Sequence, residues 1–81
     1  MMNIIIKNII FKLSHFNYDF EAVLTEDNKI KALAIDGNIL FDNRAFDFED
    51  GYISFNYETG TLKYKTSGHR GAVDLYKLLK L

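Results

Sequence analysis

RAFDFEDGYISFNYETGTLKYKT, residues 44–66, decides the fold of this chain. Two turn signals divide it into three runs whose side chains sort onto two faces. Asp50-Gly51 is a two-residue hairpin signal, since both residue types tolerate the positive φ of a tight reversal. A turn centred there sets Glu49 opposite Tyr52, Phe48 opposite Ile53 and Phe46 opposite Phe55. A second turn at Thr59-Gly60 sets Tyr57 opposite Leu62 and Phe55 opposite Tyr64. The registers agree. One face carries Phe46, Phe48, Ile53, Phe55, Tyr57, Leu62 and Tyr64. The other carries Asp47, Glu49, Ser54, Asn56, Lys63 and Lys65, with Tyr52 as its aromatic. A slip of one residue in either hairpin mixes the faces, so the sorting supports an antiparallel three-stranded meander. It also predicts a row of Asp47, Ser54 and Lys65 across the three strands.

Upstream, YDFEAVLT (18–25) and KIKALAI (29–35) flank the turn-like EDNK, and a second Asp-Gly, Asp36-Gly37, leads into NILFDN. The middle run is apolar or small on both sides: Ile30, Ala32 and Ala34 on one, Leu33 and Ile35 on the other. That suits a central or strongly curved strand. The opening NIIIKNIIFKL is dense in β-branched isoleucine and reads as a strand, with a helix over residues 3–13 as the alternative. SHFN (14–17) then connects it to the next strand.

Downstream, AVDLYKLLKL places Ala72, Leu75, Tyr76, Leu78 and Leu79 on one arc at helical spacing, and Asp74, Lys77 and Lys80 off it. A lone helix of this length is marginal in water, so it is expected to pack on the aromatic face of the meander. TSGHRGAV (66–73) becomes the strand-to-helix joint, with Thr66 or Ser67 as N-cap and Gly68 and Gly71 as hinge points. The fold class is α+β. It is an antiparallel meander of about six strands, a strongly twisted sheet or half-barrel, finished by one C-terminal amphipathic helix. The element order is similar to that of pleckstrin-homology-like domains, in a shorter chain without a matching motif.

Composition bounds the function. Eighty-one residues give one expected domain, 1–81, and 48% hydrophobic with 15% aromatic residues suffices for a thin core. There is no cysteine, hence no disulfide framework or thiolate metal site, which suits a reducing, cytoplasmic setting. MMNIIIK lacks the features of a signal peptide, no apolar run is long enough to span a bilayer, and no membrane partner is expected. A net charge of −1 argues against a general nucleic-acid binder. The charge is uneven, however. Asp42, Asp47, Glu49, Asp50 and Glu58 oppose Arg44 alone, whereas Lys63, Lys65, Arg70, Lys77 and Lys80 oppose Asp74 alone.

Candidate chemistry is sparse. Free N–H groups at a helix start, with His69 and Arg70 beside them, suit an anion, but neither GxxxxGK[ST] nor GxGxxG is present. An acid–base and phosphate-clamp set of His69, Arg70, Tyr64, Lys63 and Lys65 is split, because the lysines fall opposite Tyr64. Two histidines far apart and the run DNRAFDFED give no metal spacing, so no metal or other cofactor is expected. The expected function is a small non-catalytic protein–protein interaction protein, of the phage or mobile-element inhibitor type. Its contact residues are expected to be Asp47, Glu49, Tyr52, Asn56, Lys63, Lys65, His69 and Arg70. The expected partner is another protein, with a homodimer through an edge strand in addition. The alternative is a weak nucleic-acid or phosphoanion binder using the basic C-terminal segment.

Overall fold

The computed structural model of the protein describes residues 7–14 and 16–81. Along the chain run β1 (Lys7–Phe11), β2 (Phe20–Leu24), β3 (Ile30–Ile35), β4 (Asn38–Ile39), β5 (Phe46–Phe48), β6 (Gly51–Asn56), β7 (Thr61–Thr66), β8 (His69–Asp74) and α1 (Leu75–Leu78). The strands form two four-stranded antiparallel sheets, β1-β2-β3-β4 and β5-β6-β7-β8. They belong to two compact units, Met1–Ile39 and Leu40–Leu81. The expected meander of about six strands is therefore corrected to two meanders of four. After Ile39 the chain pairs with the second sheet instead. Asp42 makes a parallel bridge to Phe55, Asn43 donates its N–H to the Phe55 carbonyl at 2.9 Å, and Asn43 turns the chain at φ 56°.

In the first unit, β2 alternates buried Phe20, Ala22 and Leu24 with half-buried Glu21 and Val23, the period of a strand with one covered face. Opposite it, Ile30, Leu33 and Ile35 are all buried, although Ile30 differs from them in parity. A bulge resolves this. Leu24 pairs with Ile30 but Val23 pairs with Ala32, so Lys31 is the extra residue and Ile30 returns to the covered face. Asp36 and Gly37, at φ 48° and 83°, make the tight turn into β4 that the sequence signals. Phe20 stacks on Phe11 with centroids 5.3 Å apart and meets Phe16 edge-on at 5.9 Å. Lys7–Phe11 is strand rather than helix; residues 3–6 of that opening run, and His15, lie outside the described residues.

In the second unit, both hairpins of the opening stretch keep the expected faces but are paired two residues away from the expected register. Phe46 pairs with Ile53 rather than Phe55, and Phe55 with Leu62 rather than Tyr64. The reversal between β5 and β6 is Glu49-Asp50, and Gly51 enters β6. A Cβ at Gly51 would overlap the Lys65 carbonyl oxygen, so this glycine allows β6 and β7 to approach instead of making the turn. The next reversal is longer than a two-residue turn. The Asn56 side-chain oxygen accepts from the N–H groups of Glu58 and Thr59 at 2.9 and 3.0 Å, and Gly60, at φ 77°, donates to the Asn56 carbonyl at 2.8 Å. The buried hydrophobic side chains are Leu40, Ile53, Phe55, Leu62 and Leu75.

The C-terminal helix is corrected more strongly. Ala72 and Val73 belong to β8, which pairs with β7 from Thr61↔Asp74 to Thr66↔His69. TSGHRGAV is thus a hairpin turned at Ser67-Gly68, with Gly68 at φ 83°, and not a strand-to-helix joint. The open edge of β7 offers six residues a ladder, whereas a free helix of ten would gain little. Helix begins only after Asp74, whose carboxylate accepts from the N–H groups of Tyr76 and Lys77 at 3.0 and 3.4 Å. A single turn remains. It is held by Leu75, fully buried with its N–H on the Gly60 carbonyl at 2.9 Å, and by Tyr76, whose ring occupies the space a Cβ on Gly60 would need. Leu78 stays 47% exposed, so the arc drawn from the sequence is not one packed stripe.

These contacts rank the substitutions. Leu75→Ala is expected to destabilise by about 2–5 kcal/mol, and Leu78→Ala to stay within about 0.5 kcal/mol. Gly51→Ala should destabilise although alanine is ordinarily neutral or better than glycine in a strand, because its methyl meets backbone. Urea denaturation of the three variants checks the order; equal effects of Leu75 and Leu78 would refute the docking described.

Candidate functional site

β5–β8 build a polar face by alternation. Residues directly opposite in a ladder share a face, so the pairs Asp47↔Tyr52, Tyr52↔Lys65 and Lys65↔Arg70 define one row across all four strands. The rows beside it are Ser54–Lys63–Ala72 and Asn56–Thr61–Asp74. The expected row Asp47–Ser54–Lys65 is corrected: the two-residue register puts Tyr52 in the middle and β8 adds Arg70.

Six of the eight candidate residues share this face: Asp47, Tyr52, Asn56, Lys63, Lys65 and Arg70. Glu49 sits in the β5–β6 turn, and His69, paired with Thr66, takes the alternate side of β8 from Arg70. The His69–Arg70 corner is therefore divided between two faces. The acid–base set divides the same way, with Tyr64 and His69 on one side and Lys63, Lys65 and Arg70 on the other. Asn56 has a structural duty as well, since its side chain organises the loop to Gly60. The missed neighbour of Lys65 was legible in principle. Ser67-Gly68 between TLKYKT and HRGAVD is itself a hairpin signal.

The electrostatics of the row are unusual for a sheet. Lys65 and Arg70 are exposed and directly opposite, where like charges destabilise pairing. Neither forms an ion pair with a described residue; the described ion pair is Lys12–Asp19 at 3.5 Å, in the other unit. Lys63 lies two residues from Lys65 on the same face. Asp47 stands at the far end of the row, beyond half-buried Tyr52.

Next to these cations the face dips into an open concavity of about 340 Å³ lined by Asn43, Ser54, Asn56, Thr59, Thr61 and Lys63. Its lining offers two amides, three hydroxyls and one ammonium, with no carboxylate. Thr59 donates to the Thr61 hydroxyl at 3.0 Å. Among the described residues no three His, Cys, Asp or Glu side chains gather as a metal site, and no helix is long and apolar enough to cross a membrane. Compared with known proteins, the chain matches no family model, no curated protein and no solved structure.

Reversing one member of the like-charge pair turns repulsion into attraction. Lys65→Glu is expected to raise stability by roughly 0.2–1 kcal/mol, from the typical range for cross-strand charge pairs. The gain should shrink in high salt, because both groups are exposed. Lys63→Glu, facing Ala72, should gain less. Denaturation curves at low and high ionic strength measure both, and a loss of stability in Lys65→Glu would contradict the row geometry.

Proposed function

We propose that this protein is a small non-catalytic protein-binding module, in keeping with an inhibitor of the phage or mobile-element type. It uses the β5–β8 face to grip an acidic group on a protein partner. One observation carries the reading. Lys65 and Arg70 are held opposite each other, exposed and without an ion pair among the described residues, on a face where a neutral pair would serve the sheet better. Charge placed against the interest of folding is expected where a partner supplies the counter-charge. Tyr52, half-buried beside Lys65, adds the aromatic surface that contact sites favour. Asp47 at the end of the row gives the face polarity and so sets the direction in which a partner docks.

A second reading, a weak phosphoanion or nucleic-acid binder, is favoured by the carboxylate-free concavity around Lys63. The two readings separate by salt and by variant. The protein reading expects a captured host protein that is lost from Lys65→Glu, a variant expected to be at least as stable as the parent. It expects little affinity for generic RNA or DNA. Submicromolar nucleic-acid binding with a steep salt slope would instead establish the second reading. Capture unchanged in Lys65→Glu would remove the first.

A further inference from the structure

We infer that the open edge of β8 is a docking strand for a second copy of this chain. The two copies pair β8 antiparallel about Ala72, so that Arg70 of each faces Asp74 of the other. The inference rests on the reading of the β5–β8 face as a protein-contact surface and names one partner for it.

Among the described residues no strand pairs with the outer edge of β8, which runs for six residues, His69–Asp74, without proline or bulge. Such an edge is a template for another strand. The two-residue turn at Ser67-Gly68 closes on Thr66↔His69 as a hydrogen-bonded pair. Hydrogen-bonded and non-bonded pairs alternate in an antiparallel ladder, so Arg70 and Ala72 direct their N–H and C=O groups to the open edge. A copy related by a two-fold axis perpendicular to the sheet keeps polar face with polar face. That symmetry admits registers centred on single residues.

Two central registers are available. Centring on Gly71 puts Arg70 opposite Ala72 and His69 opposite Val73, with no charge pairing. Centring on Ala72 puts Arg70 opposite Asp74 of the second copy, twice, with the two alanines at the axis and Gly71 facing Val73. Arg70, Ala72 and Asp74 are all exposed. The second register supplies a carboxylate beside the unfavourable Lys65–Arg70 pair. The row then reads Asp47, Tyr52, Lys65, Arg70, followed by Asp74, Thr61 and Asn56 of the second copy, in one eight-stranded sheet. Charge complementarity selects the occupant and the register together.

Edge pairing buries little surface, so association is expected to be weak and visible at high protein concentration. The chain has no cysteine, which makes crosslinking a clean readout. Across a hydrogen-bonded antiparallel pair the Cα atoms lie about 5.5 Å apart, inside the disulfide range of about 4.4–6.8 Å. Ala72→Cys is expected to form a disulfide dimer under mild oxidation, at least tenfold faster than Lys63→Cys, a control on the same face but on an interior strand. Ala72→Pro removes an outward N–H and leaves the β7–β8 ladder intact. It should abolish self-association in sedimentation while retaining the parent's circular dichroism. Arg70→Glu should also dissociate the dimer. Crosslinking of Ala72→Cys no faster than Lys63→Cys, or sedimentation of the parent as a monomer at every concentration, would overturn the dimer. Heterologous capture sensitive to Lys65→Glu would then still stand, so this failure is distinguishable from failure of the proposed function.

Discussion

The second unit depends on β7, whose backbone is paired on both edges from Thr61 to Lys65, each residue having a partner in β6 and another in β8. The contact that makes this doubling feasible is the approach of Gly51 to the Lys65 carbonyl, which no side chain at position 51 would permit without a shift of backbone. Leu62, between Phe55 and Val73, is fully buried and ties the strands from the apolar side. The rest is arranged around that strand. The Asn56–Gly60 loop, the Gly60 seat for Tyr76 and the Asp74 cap follow from where β7 starts, and the Ser67-Gly68 reversal from where it ends.

The same constraint explains what was legible beforehand. The faces of residues 46–65 could be read because side chains alternate with period two, and an error of two residues leaves every side chain on its own side. The register was not legible for the same reason. Nothing in the alternation distinguishes Phe46↔Phe55 from Phe46↔Ile53, and the observed register brings Gly51 against the Lys65 carbonyl, a backbone approach that has no sequence pattern. Ile30 shows the opposite case. Its parity pointed away from Leu33 and Ile35, and one bulge residue, Lys31, returned it to their side. At the C-terminus a local signal competed with a tertiary one. Ala72 and Val73 extend a plausible helical arc, but the free edge of β7 gave their backbone partners that a short helix in water lacks.

Reading β8 as strand also changed the candidate site. As a helix start, His69 and Arg70 looked like neighbours around an anion. As strand residues they alternate, and only Arg70 joins Lys65. The interest of the stretch moved from a local loop to a cross-strand pair. Two cations facing each other on an exposed sheet face are a small penalty in a domain whose core is thin, where tenths of a kilocalorie matter. A sheet face under selection for folding alone would avoid like charges at that row, as the chain does nearby in setting Asp74 opposite uncharged Thr61.

Edge strands usually avoid self-association by being short or by carrying charges that repel an identical copy. β4 and β5 follow the first route, with two and three residues. β8 is long, and its charges do not protect it in the usual way. Arg70 and Asp74 have opposite sign and stand two residues either side of Ala72, so an antiparallel copy centred there meets attraction at both ends. Centred one residue away, the charges lose their partners. The spacing that fails as protection therefore discriminates between registers, as the proposed self-pairing requires. Asp74 meanwhile caps the helical turn that follows, its carboxylate oxygen accepting from the N–H groups of Tyr76 and Lys77. In the proposed dimer the helical turn would serve the edge as well as the core: by anchoring Asp74 it would lower the ordering entropy that self-pairing has to overcome.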